Sequence, residues 1–257
     1  MPAPRVIVTR PVREAARWMA LLRDAGLDAQ ALPLIEIAPA ADRAALDAAR
    51  RSAGRYAALM FVSAAAATHF FDAAGAMAAD AQPRCWATGP GTVRALQEAG
   101  VAASRIDAPG AEAAQFDSEA LWARVRTQVQ AGARVLVVRG GDASGQPAGR
   151  DWLAREIAAA GGVCDTVVAY RRLAAPMDAA GRALAEQGAR GEALWLFTSS
   201  EAISHLCDAL PGQSWTAARA LATHPRIAEA ARDAGFGLVR VSSPEAGALV
   251  ASIESFA

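Results

Sequence analysis

The chain has 257 residues, 53% of them hydrophobic, and its 26 basic residues cancel its 26 acidic ones. At roughly 150 residues per domain that length gives a prior of two domains, while zero net charge argues against a nucleic-acid footprint or a polybasic membrane arm. Every basic residue is Arg and Lys is absent, so Schiff-base enzymes and P-loop lysine chemistry are excluded.

Met1-Pro2-Ala3-Pro4 leads directly into a strand-like run and offers no signal-peptide core, and no apolar stretch reaches the roughly 18 residues of a membrane span. The chain therefore reads as cytoplasmic and soluble. The run Arg5-Val6-Ile7-Val8-Thr9 predicts the first strand, with Pro11 placed to begin a helix. That helix puts Trp18, Leu21, Leu22 and Ala25 on one face, and Gly26 suits its C-terminal cap. Further strands are predicted at 30–37, 57–62, 84–88, 134–138, 163–169, 193–197, 219–223 and 237–242. They are nearly continuous in apolar character and alternate with alanine-rich helical segments. This is the pattern of an α/β fold whose parallel, doubly wound sheets are covered on both faces.

An internal repeat runs through these elements. Phe61-Val62-Ser63-Ala64 recurs as Phe197-Thr198-Ser199-Ser200 at an offset of 136, and Gly89-Pro90 with Ala99-Gly100 recurs as His224-Pro225 with Ala234-Gly235 at 135. Arg5–Arg10 matches Arg134–Arg139 at 129, so the difference is an insertion in Gly140–Arg150, a loop by composition. A duplicated α/β unit accounts for the length.

In open α/β sheets ligands bind beyond the carboxyl ends of the strands. The residues falling there are Arg10, Ser63, Thr88 to Thr92, Arg139, Tyr170, Thr198 to Ser200 and Thr223 to Arg226. Hydroxyls, arginines and helix-start amides suit an anionic ligand. The plainer alternatives are that the serines only cap helices, that Arg10 and Arg139 pair with acids, and that Tyr170 only packs at a domain junction. As a phenol at a strand end, Tyr170 is also able to donate a proton to a leaving oxygen. Cys85, Cys164, Cys207, His69, His205 and His224 are scattered, so neither disulfide framework nor metal site is expected. Gly89-Pro90-Gly91 and Gly235-Phe236-Gly237 each lack the third dinucleotide-binding glycine.

Several segments, in order, resemble the uroporphyrinogen-III synthase family: Val8-Thr9-Arg10-Pro11, Leu32-Pro33-Leu34-Ile35-Glu36-Ile37, Phe61-Val62-Ser63-Ala64, Gly89-Pro90-Gly91-Thr92, Phe116-Asp117-Ser118-Glu119, Val138-Arg139-Gly140, Ala169-Tyr170-Arg171-Arg172, Phe197-Thr198-Ser199-Ser200 and Pro225-Arg226-Ile227-Ala228. The resemblance covers nearly the whole chain. Departures are Ala65, where bacterial members often carry Asn, and His224, where Ser or Gly is commoner.

The resemblance implies two α/β domains, 1–37 with 175–257 and 40–170, joined by a two-stranded connector at 32–40 and 168–176 with a cleft between the domains. Two similar units that exchange equivalent first segments keep both sheets intact. It implies cyclisation of hydroxymethylbilane, a linear tetrapyrrole, with loss of water and inversion of ring D through a spiro intermediate. Tyr170 would be the catalytic acid. Arg10, Ser63, Thr92, Arg139, Thr198, Ser199, Ser200, Thr223, Pro225 and Arg226 would hold the substrate's acetates and propionates. No cofactor, metal, nucleic acid or membrane is expected; the expected state is a monomer in transient contact with the enzyme that supplies its substrate. A two-domain binding protein for an anionic ligand, or a sugar- or nucleotide-transferring enzyme, would share the layout.

Overall fold

The computed structural model describes residues 5–71, 83–110 and 116–256. The chain divides into two compact units, Met1–Glu36 with Leu173–Ala257, and Ile37–Arg172. Of the opening segment, Met1 to Pro4 lie outside the described residues.

The first unit is built on strands β1 (Arg5–Val8), β2 (Ala29–Ala31), β9 (Ala193–Phe197), β10 (Arg219–Ala222) and β11 (Leu238–Val241), in the spatial order β11-β10-β9-β1-β2. All these pairings are parallel. Helix α1 (Val12–Asp24) buries Ala15, Trp18 and Leu22 against the sheet, with Leu249 and Ile253 of α10 (Ala246–Glu254) in the same cluster. Leu21 is half-buried. Ala25, expected on the buried face, is exposed, because the helix has ended at Asp24 and Gly26 takes a φ of 79°. Pro11 is the cap residue, one place before the helix. On the other face Trp195 and Phe197 stack beside Trp215 and Phe236.

The second unit carries β3 (Ile35–Pro39), β4 (Ala58–Phe61), β5 (Arg84–Ala87), β6 (Ile106–Asp107), β7 (Arg134–Gly141) and β8 (Val163–Ala174), ordered β3-β8-β7-β4-β5-β6. The pairings from β4 to β8 are parallel. Successive residues of β4 serve opposite faces, as the pleat requires: Leu59 and Phe61 join one cluster with Phe70, Leu136 and Val138, while Ala58 and Met60 join another with Trp86, Val135 and Ile157. The chain passes between the units within β3 and again within β8.

The two sheets are the same arrangement made from exchanged halves. In the first unit β1 pairs with β9, matching Val6 to Leu194. In the second β7 pairs with β4, matching Val135 to Ala58, which are the same two positions at the repeat's offsets of 129 and 136.

Three expectations are corrected. The predicted strand 30–37 is two strands, because Pro33 has no N–H to donate and Leu32 and Leu34 turn to bond the Val8 and Thr9 carbonyls. The strand predicted to end at 169 runs on to Ala174. The loop expected from Gly140 begins later: Gly140 and Gly141 belong to β7, and Asp142 Oδ1 accepts from the Ser144 and Gln146 amides at 2.9 and 3.0 Å, which orders the turn that follows. Strand β6, absent from the sequence reading, is tied to β5 by the Arg84–Asp107 ion pair.

Candidate functional site

In each unit the strand order reverses at one point, between β1 and β9 in the first and between β4 and β7 in the second. Helix N-termini and loops diverge beyond the strand ends there and leave room for a ligand. Most of the residues singled out in the sequence stand at these two edges or one strand away.

In the second unit, Ser63 follows β4 and opens α3 (Ala64–Phe71). Its Oγ accepts the Ala66 amide at 3.1 Å, an N-cap bond, and lies 3.0 Å from the Tyr170 hydroxyl. The capping alternative is thus realised for Ser63 without exhausting it. Tyr170, in β8, is 3% exposed and its ring lies in the cluster with Phe61, Phe70 and Val138. The imidazole of His69, on α3, stacks on that ring with centroids 5.8 Å apart. Thr92 is the third residue of α4 (Pro90–Glu98); it is buried, and its amide is 3.0 Å from the Gly89 carbonyl. Directly after β5, the strand that leads into α4, Thr88 donates to the Val62 carbonyl at 3.2 Å.

Arg139, within β7, is turned to its own loop. It is 6% exposed, and its guanidinium donates to Asp151 at 3.0 Å and to the Arg150 carbonyl at 3.4 Å. A Cβ at Gly149, where φ is 107°, would lie 2.6 Å from Nη2. The loop that follows β7 therefore closes over Arg139, and its forks are engaged inside its own unit.

In the first unit, Arg10 follows β1. It donates to Glu14 at 2.5 Å and lies 4.5 Å over the Trp18 ring. Burial draws its guanidinium below the usual value, with the Glu14 carboxylate opposing; an arginine so shifted still carries its charge. Arg10 and Arg139 thus both pair with acids, but neither is a surface residue. Thr198 and Ser199 follow β9, half-buried, and Ser199 caps α8 (Ser200–Ala209) by accepting the Glu201 amide at 3.2 Å. Ser200 is exposed in the first turn. Thr223 follows β10 and donates its amide to Phe197 at 3.1 Å. Pro225 and Arg226, both exposed, open α9 (Pro225–Asp233), where His224 Nδ1 accepts the Arg226 amide at 3.1 Å. An apolar cavity of about 300 Å³ in this unit is lined by Val12, Ala15, Met19 and Pro33 together with Arg23, and by none of the predicted residues.

Three residues at the second edge were not singled out from the sequence. His69 gave no signal, since a histidine on an alanine-rich helix reads as any other. Of the two that close over Arg139, Gly149 lies in the insertion, where the repeat supplies no counterpart, and Asp151 directly follows it. Chemically, the second edge offers a buried phenol hydrogen-bonded to a serine beside a helix N-terminus, and the first offers hydroxyls, two helix N-termini and the arginines at 10 and 226. Among the described residues no three His, Cys, Asp or Glu side chains gather as metal ligands, and no helix is long and apolar enough to cross a membrane.

The family model for uroporphyrinogen-III synthase HemD matches residues 16–251. A mutant uroporphyrinogen III synthase from Thermus thermophilus, 18% identical over 98% of each chain, superposes with a TM-score of 0.59. Uroporphyrinogen-III synthetase from Helicobacter pylori, 13% identical, matches 99% of this chain and 100% of its own with a TM-score of 0.61. At those identities the two structures speak for the shared fold. No curated protein matches by sequence.

Proposed function

The chain belongs to the uroporphyrinogen-III synthase family, whose members are cyclising lyases of tetrapyrrole biosynthesis, and from that premise we propose that it converts hydroxymethylbilane to uroporphyrinogen III and water. In this reading the terminal hydroxyl departs as water, leaving an azafulvene. The azafulvene is attacked by the already substituted carbon of ring D, which gives a spiro intermediate. Fragmentation and reclosure at the other carbon invert the ring, and loss of a proton restores the pyrrole.

The observation that carries the reading is the Tyr170 hydroxyl, buried at the reversal edge of its sheet and 3.0 Å from Ser63 Oγ. A phenol is a proton donor of suitable strength for a departing hydroxyl. Ser63 is itself anchored by the Ala66 amide, so it keeps the phenol oxygen in one place. A linear tetrapyrrole closes unaided to the non-inverted isomer, so the enzyme must also fold its substrate, and positioning is the larger part of the task. The substrate's carboxylates would be taken by the helix-start amides and hydroxyls at Thr92, Thr198 to Ser200 and Thr223 to Arg226. Arg10 adds positive charge at the first edge. Arg139, closed in by Asp151, contributes by holding its loop.

Purified protein incubated with freshly generated hydroxymethylbilane should yield mainly the type III isomer on chromatographic separation. Only the type I isomer, formed at the rate seen without protein, would overturn the proposal.

A further inference from the structure

Strand β8 carries one residue more than its partner at the point where Tyr170 sits. Arg139 is matched to Val168, but the next residue of β7, Gly140, is matched to Tyr170, so Ala169 is the extra residue of a β-bulge. Side chains alternate along a regular strand, and a bulge re-aims those that follow it. The effect is visible in the packing: Val167, Ala169 and Tyr170 all face the same cluster, whereas an unbulged strand would send Tyr170 to the opposite face.

Gly140 makes that new direction available. A Cβ there would stand 2.6 Å from Cζ, 2.8 Å from the hydroxyl oxygen and 2.9 Å from Cε2 of Tyr170. Gly140 is not among the residues with positive φ, so its backbone would accept alanine. What excludes a side chain is the phenol lying against it.

We infer that the β-bulge opposite Gly140, with no side chain at that position, aims the Tyr170 hydroxyl at Ser63, so that Gly140 is a positioning residue for the reaction. The inference rests on the reading of Tyr170 as proton donor, but the placement of the phenol is tested without substrate.

The chain has only two tyrosines, so protein labelled with 13C at the tyrosine ζ carbon gives two signals, assigned by Tyr56→Phe. Ser63→Ala should shift the Tyr170 signal through loss of the hydrogen bond, and Gly140→Ala should shift it comparably. An unmoved signal in Gly140→Ala overturns the inference. In turnover, Gly140→Ala should lower kcat about 10- to 100-fold, at or below the low end of what a positioned acid contributes, with KM within a few-fold. In the Tyr170→Phe background the same change should cost less than about threefold, because the two act as one unit. Full activity in Gly140→Ala, or an equal loss in both backgrounds, overturns it. Melting temperature guards against a folding defect: Gly140→Ala should lower it in the native background and much less beside Tyr170→Leu, and equal lowering in both counts against the inference. Should the unaltered protein produce only type I isomer, the reaction is refuted, while the labelled-tyrosine and melting experiments still decide the placement.

Discussion

Replacing Tyr170 by Phe removes one oxygen from a side chain that is 3% exposed and otherwise packed among Phe61, Phe70 and Val138. The ring keeps its place, because its apolar contacts and the His69 stack are untouched. What is lost is the 3.0 Å hydrogen bond to Ser63, while Ser63 retains the Ala66 amide. A net hydrogen bond contributes about 0.5–1.5 kcal/mol, which in a chain of this size lowers the melting temperature by about 2–4 °C per kcal/mol. The effect on rate should be larger. Positioned general acids contribute about 10²–10⁴-fold, but a hydroxymethylpyrrole loses water readily, so we expect turnover to fall about 10- to 100-fold, at or below the low end. KM should stay within a few-fold, since the carboxylate donors lie elsewhere. The assay is timed conversion of hydroxymethylbilane followed by oxidation and separation of the porphyrin isomers, with circular dichroism and a melting curve on the same preparation. The residual product should remain type III. Full turnover would show the phenol to be structural only. A switch to the type I isomer would assign it to folding the substrate and refute proton donation as its role.

Two further predictions concern the frame around the site. Gly188 in α7 (Ala179–Ala189) sits where a Cβ would lie 2.5–2.7 Å from the fully buried Trp195 indole; Gly188→Ala should therefore lower stability by about 1–3 kcal/mol in urea unfolding, despite the roughly 1 kcal/mol that alanine gains over glycine in a helix, and a stabilised variant would show that the indole yields. Burial pushes the Cys85 thiol up from 9.0 to about 12, against the opposing pull of Arg105 and Arg84; because the folded value is the higher one, its contribution to stability is full below pH 9 and is lost as pH rises towards 12. At pH 8 Cys85 should resist a thiol reagent in the native protein and react once guanidinium unfolds it, and rapid native labelling at that residue would contradict its burial.

Much of the architecture is written locally. Continuous apolar runs such as Ala193–Phe197, fully buried in the fold, have the length and character of strands covered on both faces, and the alanine-rich segments between them supply the crossover helices. The parallel α/β class followed from that alternation, and the family from the order of short motifs. Ser63 was legible as a hydroxyl just past a strand, a local property; Tyr170 was expected at a strand end, but β8 runs on to Ala174 and holds it within the strand.

Local sequence does not say which strands meet: the grouping of 1–37 with 175–257 was expected only from the family resemblance, and the pairings themselves belong to the tertiary structure. Parallel strands bond through backbone groups that every sequence shares, so nothing in Arg5–Val8 states that its partner is Ala193–Phe197 and not Ala58–Phe61. The 3.0 Å contact between Ser63 and Tyr170 spans 107 residues of chain and depends on one extra residue in β8. A bulge is a property of two strands in register, so neither strand encodes it by itself. Arg139 shows the same limit from the other side: its match to Arg10 in the repeat is a fact of sequence, but the inserted loop with Gly149, and Asp151 just after it, close over the guanidinium and set its environment.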